Sequence, residues 1–204
     1  MSDFDQLVNA ISAGRLAASA LPAVSFLKAG GYQDGHAAYS DPLDEQRFVV
    51  DEINALQKTP DWPSTAVVIA YDDSDGWYDH AFSSVHNPSQ SVADALTGPG
   101  ACGAGPALAG QQGRCGFGPR LPLLVVSPWA KHNAIDHTLT DQSSITRFVE
   151  DNWHLPRISG STDATAGALD GLFDFGQSHG QGGGNPPTNE PFVLDPQSGR
   201  VTAG

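Results

Sequence analysis

The stretch TAVVIAYDDSDGWYDH, residues 65–80, decides how the chain is expected to fold. Its first part, TAVVIAY (65–71), is β-branched or apolar almost throughout. Such a run is typical of a strand that is covered on both faces, as in a parallel sheet. Acids follow at once, because Asp72 and Asp73 stand directly after the predicted strand and Asp75 comes shortly after them. The cluster of carboxylates beside residues that favour burial is the first indication of function in this chain.

Segments on either side of this stretch predict a layered α/β fold. PAVSFLKA (22–29) and RLPLLVVSPWA (120–130) are short apolar runs bounded by turn signals, and each predicts a strand. Apolar residues at helical spacing, together with capping and stop signals, predict helices over 4–13, 42–59 and 138–155. Asp41 is the expected amino-terminal cap of the second helix. Alternating strands and helices indicate an α/β fold with a mostly parallel sheet.

Length and composition narrow the class of protein. The 204 residues are enough for one domain with a hydrophobic core, so a single domain is expected over 1–204. The 23 glycines and 15 prolines imply long loops, above all an excursion over 83–120 and an irregular carboxy-terminal segment over 157–204. The net charge of −13 argues against a nucleic acid partner, because phosphates would be repelled. No apolar run approaches the roughly 20 residues of a membrane span, and no secretory signal is visible, which leaves a cytoplasmic location open.

Cys102 and Cys115, the two cysteines, lie in a stretch rich in glycine and alanine with no histidine between them. Two thiolates alone do not complete a structural zinc site. A disulfide that closes a flexible loop is the favoured interpretation, and it implies an oxidising compartment. Two unrelated free thiols are the alternative.

The adjacent carboxylates of Asp72 and Asp73 repel each other, so the pair predicts a bound cation if it is partly buried. A hard divalent cation with oxygen ligands is the least costly solution. The spacing is not that of an EF-hand, because aligning Asp73 with the third loop position places Phe82 where the twelfth position requires an acid. The alternative to a metal is a solvated acidic turn whose carboxylates cap backbone N–H groups.

The order of the predicted elements places a histidine near these acids. His36 follows the predicted strand 22–29, in the glycine-rich loop GGYQDGHAAYSDP. Ligands of open α/β sheets sit beyond the carboxyl ends of the strands, so His36 and the acids are expected on the same edge. His80 and Asp75 are further candidates in supporting positions. An exposed loop histidine with no special role is the alternative for His36.

Four blocks of the sequence, taken in order, resemble the bacterial phosphoesterase family: LPAVSFLKAGGYQDGHAAYSDP, TAVVIAYDDSDGWYDH, GPRLPLLVVSPWAK and IDHTLTDQSSITRFVEDNW. That family contains non-hemolytic phospholipases C and acid phosphatases. The resemblance implies part of an alkaline-phosphatase-like α/β fold and the hydrolysis of a phosphate ester or phospholipid. Since family members are commonly exported, it also implies a periplasmic or secreted location for the full-length enzyme.

The resemblance also implies roles for named residues. Paired acids after a central strand are metal ligands in that family, and they match Asp72 and Asp73. A histidine in the preceding loop lies beside the phosphate, and His36 matches it. The resemblance therefore implies a divalent metal ion as cofactor, without specifying which metal.

Two features of the family have no counterpart in this chain. Family members are longer, and their amino-terminal half carries a Glu-Asn metal motif and a serine or threonine nucleophile. No Glu-Asn pair occurs here, and none of Ser40, Ser143 and Ser144 stands in a convincing nucleophile turn. The chain is therefore expected to be the carboxy-terminal half of such an enzyme, with the missing amino-terminal half as a partner. The alternatives are a catalytically inactive fragment, a cation- or partner-binding module, and a carbohydrate-binding module that uses Trp77 and Tyr78.

Overall fold

The structure is a computed structural model that describes residues 3–14, 21–74, 79–81, 118–175 and 193–203. The chain divides into two compact units. The first comprises residues 1–68, 125–134 and 172–204, and the second comprises 69–124 and 135–171. Each unit is assembled from separate stretches of sequence. The expected single domain stays a prediction.

The described chain contains both helices and strands, which is consistent with the predicted α/β class. The helices are α1 (Asp3–Ser12), α2 (Pro42–Leu56) and α3 (Ser143–Trp153), with single 3₁₀ turns at Trp62–Ser64 and Asp170–Leu172. The strands are β1 (Val67–Ala70), β2 (Leu123–Val126), β3 (Val193–Leu194) and β4 (Val201–Ala203). The three predicted helices are confirmed, with ends that differ by a few residues.

The described strands form two small sheets, β1 with β2 and β3 with β4. β3 and β4 are antiparallel, with Val193 opposite Ala203. The hydroxyl of Ser127, just after β2, donates to the carbonyl of Thr65, just before β1, at 2.8 Å. The end of β2 therefore lies beside the beginning of β1, which is the arrangement of an antiparallel pair. Among the described residues, neither the mostly parallel sheet nor the alkaline-phosphatase-like fold is confirmed.

Residues 22–29, predicted as a buried strand, form no regular secondary structure. Their apolar side chains face solvent, since Phe26 is 88% exposed and Leu27 is 39% exposed. The prediction is wrong because an apolar run becomes a strand only where a neighbour pairs with its backbone N–H and C=O groups. Neither of the two described sheets includes this segment.

β1 and β2 occupy the predicted apolar runs but are shorter and less buried than predicted. Ala70 of β1 is exposed, and Leu124 of β2 is 50% exposed. A strand is covered on both faces only where other layers pack on both sides of its sheet, and the exposed Ala70 and Leu124 lack such cover. The apolar composition correctly predicts the strands but overestimates their burial.

The two amino-terminal helices pack together in the first unit. The predicted apolar face of α1 is confirmed, because Val8 and Ile11 are fully buried, and Ile53 of α2 is buried as well. The predicted cap of α2 is also confirmed, since the carboxylate of Asp41 accepts the N–H of Leu43 at 2.8 Å. Periodicity and local capping thus position the helix that follows the His36 loop.

A polar contact attaches the β3–β4 hairpin to α2. The side-chain amide of Asn54 donates to the carbonyl of Leu194 at 2.8 Å and accepts the N–H of Leu194 at 3.2 Å. Gln46 adds a bond from its amide to the carbonyl of Pro196 at 3.2 Å. The segment 157–204, predicted to be irregular, therefore contains an ordered hairpin fixed by a buried asparagine.

Several predictions fall outside the described ranges. Cys102, Cys115 and most of the excursion 83–120 lie there, so the disulfide and the long loop stay predictions. Trp77 and Tyr78, on which the carbohydrate-binding alternative depends, lie there too. Over the stretches of chain that are described, no helix has the length and apolar character needed to cross a bilayer.

Candidate functional site

The loop around His36 is held by hydrogen bonds among its own residues. The carboxylate of Asp34 accepts the backbone N–H of His36 and the hydroxyl of Tyr39, each at 3.1 Å. The carbonyl of His36 accepts the N–H groups of Tyr39 at 3.2 Å and Ser40 at 2.9 Å. The imidazole stacks on the ring of Tyr39, with centroids 4.2 Å apart and planes 18° apart. These contacts hold a half-exposed imidazole in a defined orientation.

The hydrogen bonding of the ring determines what His36 can offer to a ligand. Nδ1 accepts the N–H of Ala38 at 3.1 Å. A neutral imidazole that accepts at Nδ1 carries its proton on Nε2. Nε2 is therefore the atom through which His36 would donate to an oxygen of an anionic ligand.

Gly35 allows the His36 loop to approach α2 closely. Its φ of +82° lies in the left-handed region that disfavours residues with a Cβ. A Cβ at this position would stand 2.5 Å from Oε2 of Glu45, in the first turns of α2. The N–H of Gly35 donates to the hydroxyl of Ser40 at 3.0 Å and closes the loop on itself. In the sequence, the glycines here signal only a turn, and the close approach to α2 is a finding of the structure.

The acid pair stands at the carboxyl end of β1, as predicted. β1 ends at Ala70. Tyr71 comes next, and Asp72 and Asp73 follow it directly. Both acids are exposed. Exposed carboxylates keep their hydration, so the partial burial under which the pair predicts a cation is not present, and the metal role stays a prediction. Exposure does leave their oxygens accessible to a cation from solvent.

The chemistry of the acid pair fits a hard divalent cation in part. A small cation such as Mg²⁺ is commonly bound through one or two carboxylates and completes its shell with water and phosphate oxygens. Asp72 and Asp73 provide two such carboxylates. Within the described residues, no group of three or more His, Cys, Asp or Glu side chains is placed to hold a metal ion. The described residues therefore contain no complete set of such ligands around the acid pair.

The backbone that carries the acid pair is held by Gln142. Its side-chain amide donates to the carbonyl of Tyr71 at 3.1 Å and to the carbonyl of Asp72 at 2.6 Å. No local pattern in the sequence indicates this contact, because 70 residues separate Gln142 from Asp72. Gln142 is a functional candidate that only the structure reveals.

Gln142 is itself fixed because it directly precedes α3. The carboxylate of Asp141 accepts the N–H of Ser143 at 2.8 Å, and the hydroxyl of Ser144 accepts the N–H of Asp141 at 3.1 Å. This reciprocal pattern resembles a capping box. Asp141, the predicted cap, does bond the first turn, although the residue adjoining the helix is Gln142.

Ion pairs and buried acids support the other end of α3. Glu150 is buried and pairs with the guanidinium of Arg157 at 2.9 Å. Asp163 is fully buried, and its carboxylate accepts the N–H of Ile158 at 2.9 Å. A hydrogen bond from Ser161, then that from Ile158, lowers the pKa of Asp163 below its ordinary value. α3 is thus held at both ends within the second unit.

Asp79, another acid of the stretch after β1, has a structural role. Its carboxylate accepts the backbone N–H of Arg120 at 3.0 Å, the guanidinium of Arg120 at 3.1 Å and the N–H of Ala81 at 3.2 Å. The bond from Ala81, followed by the interactions with Arg120, lowers the pKa of Asp79. His80 is exposed, and Asp75 lies outside the described residues, so their supporting roles stay predictions.

The serines that could have served as nucleophiles hold local structure instead. Ser40 accepts the N–H of Gly35 at 3.0 Å. The hydroxyl of Ser143 forms a short hydrogen bond with that of Thr162. Ser144 is fully buried and bonds Asp141 in the cap of α3. Each of these hydroxyls thus has a structural explanation.

His36 lies in the first compact unit, whereas Asp72 and Asp73 lie in the second. The predicted meeting of the three residues at one sheet edge stays a prediction. Each part of the candidate site is nevertheless ordered within its own unit, the histidine by its loop and the acid pair by Gln142.

The chain belongs to the Phosphoesterase family, whose sequence profile matches residues 3–156. The non-hemolytic phospholipase C of Pseudomonas aeruginosa is 28% identical over 98% of this chain and 30% of that protein. The non-hemolytic phospholipase C of Burkholderia pseudomallei is 32% identical over 78% of this chain and 24% of that protein. Phospholipase C B of Mycobacterium tuberculosis is 29% identical over 76% of this chain and 30% of that protein. The chain therefore spans less than a third of the length of these relatives.

Proposed function

We propose that the chain is the metal-binding part of a phosphoric ester hydrolase of the phospholipase C or acid phosphatase type. Membership of the Phosphoesterase family supports the reaction class. The observation that carries the proposal is the exposed pair Asp72 and Asp73 directly after β1, on a backbone held by Gln142. The relatives are named as phospholipases C, which favours a phospholipid over a small phosphomonoester as the substrate.

In this proposal, the carboxylates of Asp72 and Asp73 would hold a divalent cation. When bound, the cation would supply electrostatic stabilisation of the charge that develops on the phosphoryl oxygens. His36 donates from Nε2 to a phosphoryl oxygen or to the oxygen of the leaving group. Phosphoryl transfer depends mainly on such positioning and charge stabilisation, together with an in-line nucleophile.

The nucleophile is proposed to come from the part of the relatives that this chain does not match. The resemblance supports an amino-terminal position for that part, and we propose a periplasmic or secreted location for the complete enzyme. Without a nucleophile there is no covalent intermediate to divide the reaction into easier steps. The isolated chain is therefore expected to bind metal and to hydrolyse substrate slowly or not at all.

Calorimetric titration with Mn²⁺ tests the metal site. Asp72→Ala is expected to weaken Mn²⁺ binding by at least about 100-fold, because removal of even an outer-shell partner costs about 10–100-fold. Asp51→Ala, which removes an exposed acid of α2, is the matched control and should leave the affinity unchanged. Hydrolysis of phosphatidylcholine and of p-nitrophenyl phosphate, with Mn²⁺ or Ca²⁺, distinguishes the two substrate classes. If Asp72→Ala binds Mn²⁺ and hydrolyses substrate as well as the parent, the assignment is refuted.

Exposed apolar side chains favour a second candidate function. In this candidate, the chain is inactive until a region equivalent to the amino-terminal part of its relatives covers these side chains. In the first unit, Phe26 is 88% exposed and stands in the sequence beside Leu27, which is 39% exposed. Apolar surface of this kind marks interaction sites when it is contiguous. Sedimentation should show self-association that Phe26→Gln reduces and Val201→Gln, at an apolar residue of the hairpin, does not. A strictly monomeric parent with rapid turnover would contradict this candidate.

A further inference from the structure

The two hydrogen bonds from Gln142 reach the carbonyls on either side of one Cα atom. The carbonyl of Tyr71 belongs to the peptide plane before the Cα of Asp72, and the carbonyl of Asp72 belongs to the plane after it. The amide accounts for both bonds, at 3.1 Å and 2.6 Å, because its nitrogen carries two hydrogens. One side chain thus contacts both peptide planes that flank the first acid.

This arrangement restricts the dihedral angles that orient the acid pair. A planar peptide leaves two soft dihedral angles per residue, φ and ψ. Holding the carbonyls before and after Asp72 narrows the range of both of its angles, and with it the direction of its Cα–Cβ bond. The second plane also contains the backbone nitrogen of Asp73, so the starting direction of the next residue is restricted as well.

The donor is placed before any ligand arrives. Gln142 adjoins the amino terminus of α3, where Asp141 and Ser144 exchange hydrogen bonds with the first turn. Gln142 is itself exposed, so water competes for both carbonyls and the contact adds little to the stability of the fold. Its main effect is on the orientation of the acid pair rather than on folding.

We propose that Gln142 is a positioning residue for the carboxylates of Asp72 and Asp73, holding them in the orientation that binds the divalent cation. This inference rests on the proposed function, because it assigns a role within the same site. Residues that orient metal ligands from outside the first shell typically change metal affinity by about 10–100-fold. Gln142 acts through the backbone of Asp72 and has no contact of its own with the cation.

The test replaces Gln142 with methionine in the full chain, which keeps the length of the side chain and removes both N–H donors. Calorimetric titration should show Mn²⁺ binding weakened about tenfold in Gln142→Met. Gln46→Met is the matched control, because the amide of Gln46 also donates to a backbone carbonyl, that of Pro196, in the first unit. The control should bind Mn²⁺ like the parent, and Gln142→Met should keep the thermal midpoint of the parent.

A second readout follows the backbone without metal. ¹⁵N relaxation of the metal-free protein should show larger fast motions at Asp72, Asp73 and Ser74 in Gln142→Met than in the parent or in Gln46→Met. If Gln142 had a merely structural role, Gln142→Met would lower the thermal midpoint, and the fast motions at these three residues would stay like those of the parent. Gln142→Ala provides a second variant should the methionine variant fail to fold.

The outcomes separate the positioning role from the metal site itself. If Asp72→Ala loses Mn²⁺ binding and Gln142→Met weakens it, both assignments are supported. If Asp72→Ala loses binding while Gln142→Met and Gln142→Ala bind Mn²⁺ as tightly as the parent, the positioning role is overturned and the metal site stands. If the parent binds no Mn²⁺, or Asp72→Ala binds it equally well, the proposed function fails and the positioning role fails with it.

Discussion

The His36 loop and the acid pair after β1 are positioned in two different ways. Hydrogen bonds between residues at most five positions apart help to hold the loop, such as those of Asp34 with Tyr39 and Gly35 with Ser40. The acid pair is held by Gln142, which lies 70 residues from Asp72. A site residue held by its neighbours resists changes elsewhere in the chain, whereas one held from a distance depends on the packing that brings its partner there. The two regions should therefore respond differently to mutation.

The largest effect on stability is expected for Gly35→Ala in the His36 loop. A residue with a Cβ pays about 1–2 kcal/mol in the left-handed region, and here the Cβ also meets Glu45. We expect a loss of about 2 kcal/mol in the free energy of unfolding, measured by urea denaturation. Gly14→Ala is the matched control, since its φ is +68° and nothing lies within 4 Å of the added Cβ. Equal losses for the two variants would show that close approach to α2 does not constrain the loop.

A smaller effect is expected for Asp34→Ala, which removes the acceptor of two loop hydrogen bonds. The N–H of His36 and the hydroxyl of Tyr39 lose their partner, and partly exposed bonds of this kind contribute about 1 kcal/mol in total. Urea denaturation measures the loss, and amide exchange at His36 should become faster. Asp51→Ala, on the exposed face of α2, should change neither quantity. Unchanged exchange at His36 in Asp34→Ala would mean that the loop is held by something else.

The smallest effect concerns the pH dependence of the segment around Asp79. The pKa of Asp79 is lowered in the folded chain, chiefly by the N–H of Ala81 and then by Arg120. A lowered folded-state pKa adds stability above the unfolded-state pKa of about 3.9, and this stability is lost as the pH falls through the lower folded-state pKa. Between about pH 5 and pH 3, the urea midpoint of Asp79→Asn should therefore fall less steeply than that of the parent. Identical slopes would show that the contacts of Asp79 with Ala81 and Arg120 do not form in solution.

Features determined by neighbouring residues could be predicted from the sequence. The apolar face of α1, with Val8 and Ile11 buried, follows from helical spacing, and the cap at Asp41 follows from its position before Pro42. The location of the acid pair after a strand could also be predicted, because the apolar run that ends before Asp72 is continuous. In each case, the residues that determine the feature lie close together in the sequence.

Features that depend on distant partners could not be predicted. Residues 22–29 have the composition of a strand, but no described strand pairs with them, so Phe26 remains exposed. The exposure of Asp72 and Asp73 is equally invisible in composition, since it depends on what packs around the end of β1. The roles of Gln142 and Asn54 also required the structure, because each bonds a backbone segment far away in sequence.

Paramagnetic broadening of amide resonances by Mn²⁺ tests the central claim most directly, because it locates the bound ion without relying on activity. At Mn²⁺ concentrations well below that of the protein, the amide signals of Asp72, Asp73 and Gln142 should broaden first, and Asp72→Ala should abolish this preference. Broadening distributed evenly over exposed acids such as Asp41 and Asp51 would contradict a specific cation site at the end of β1.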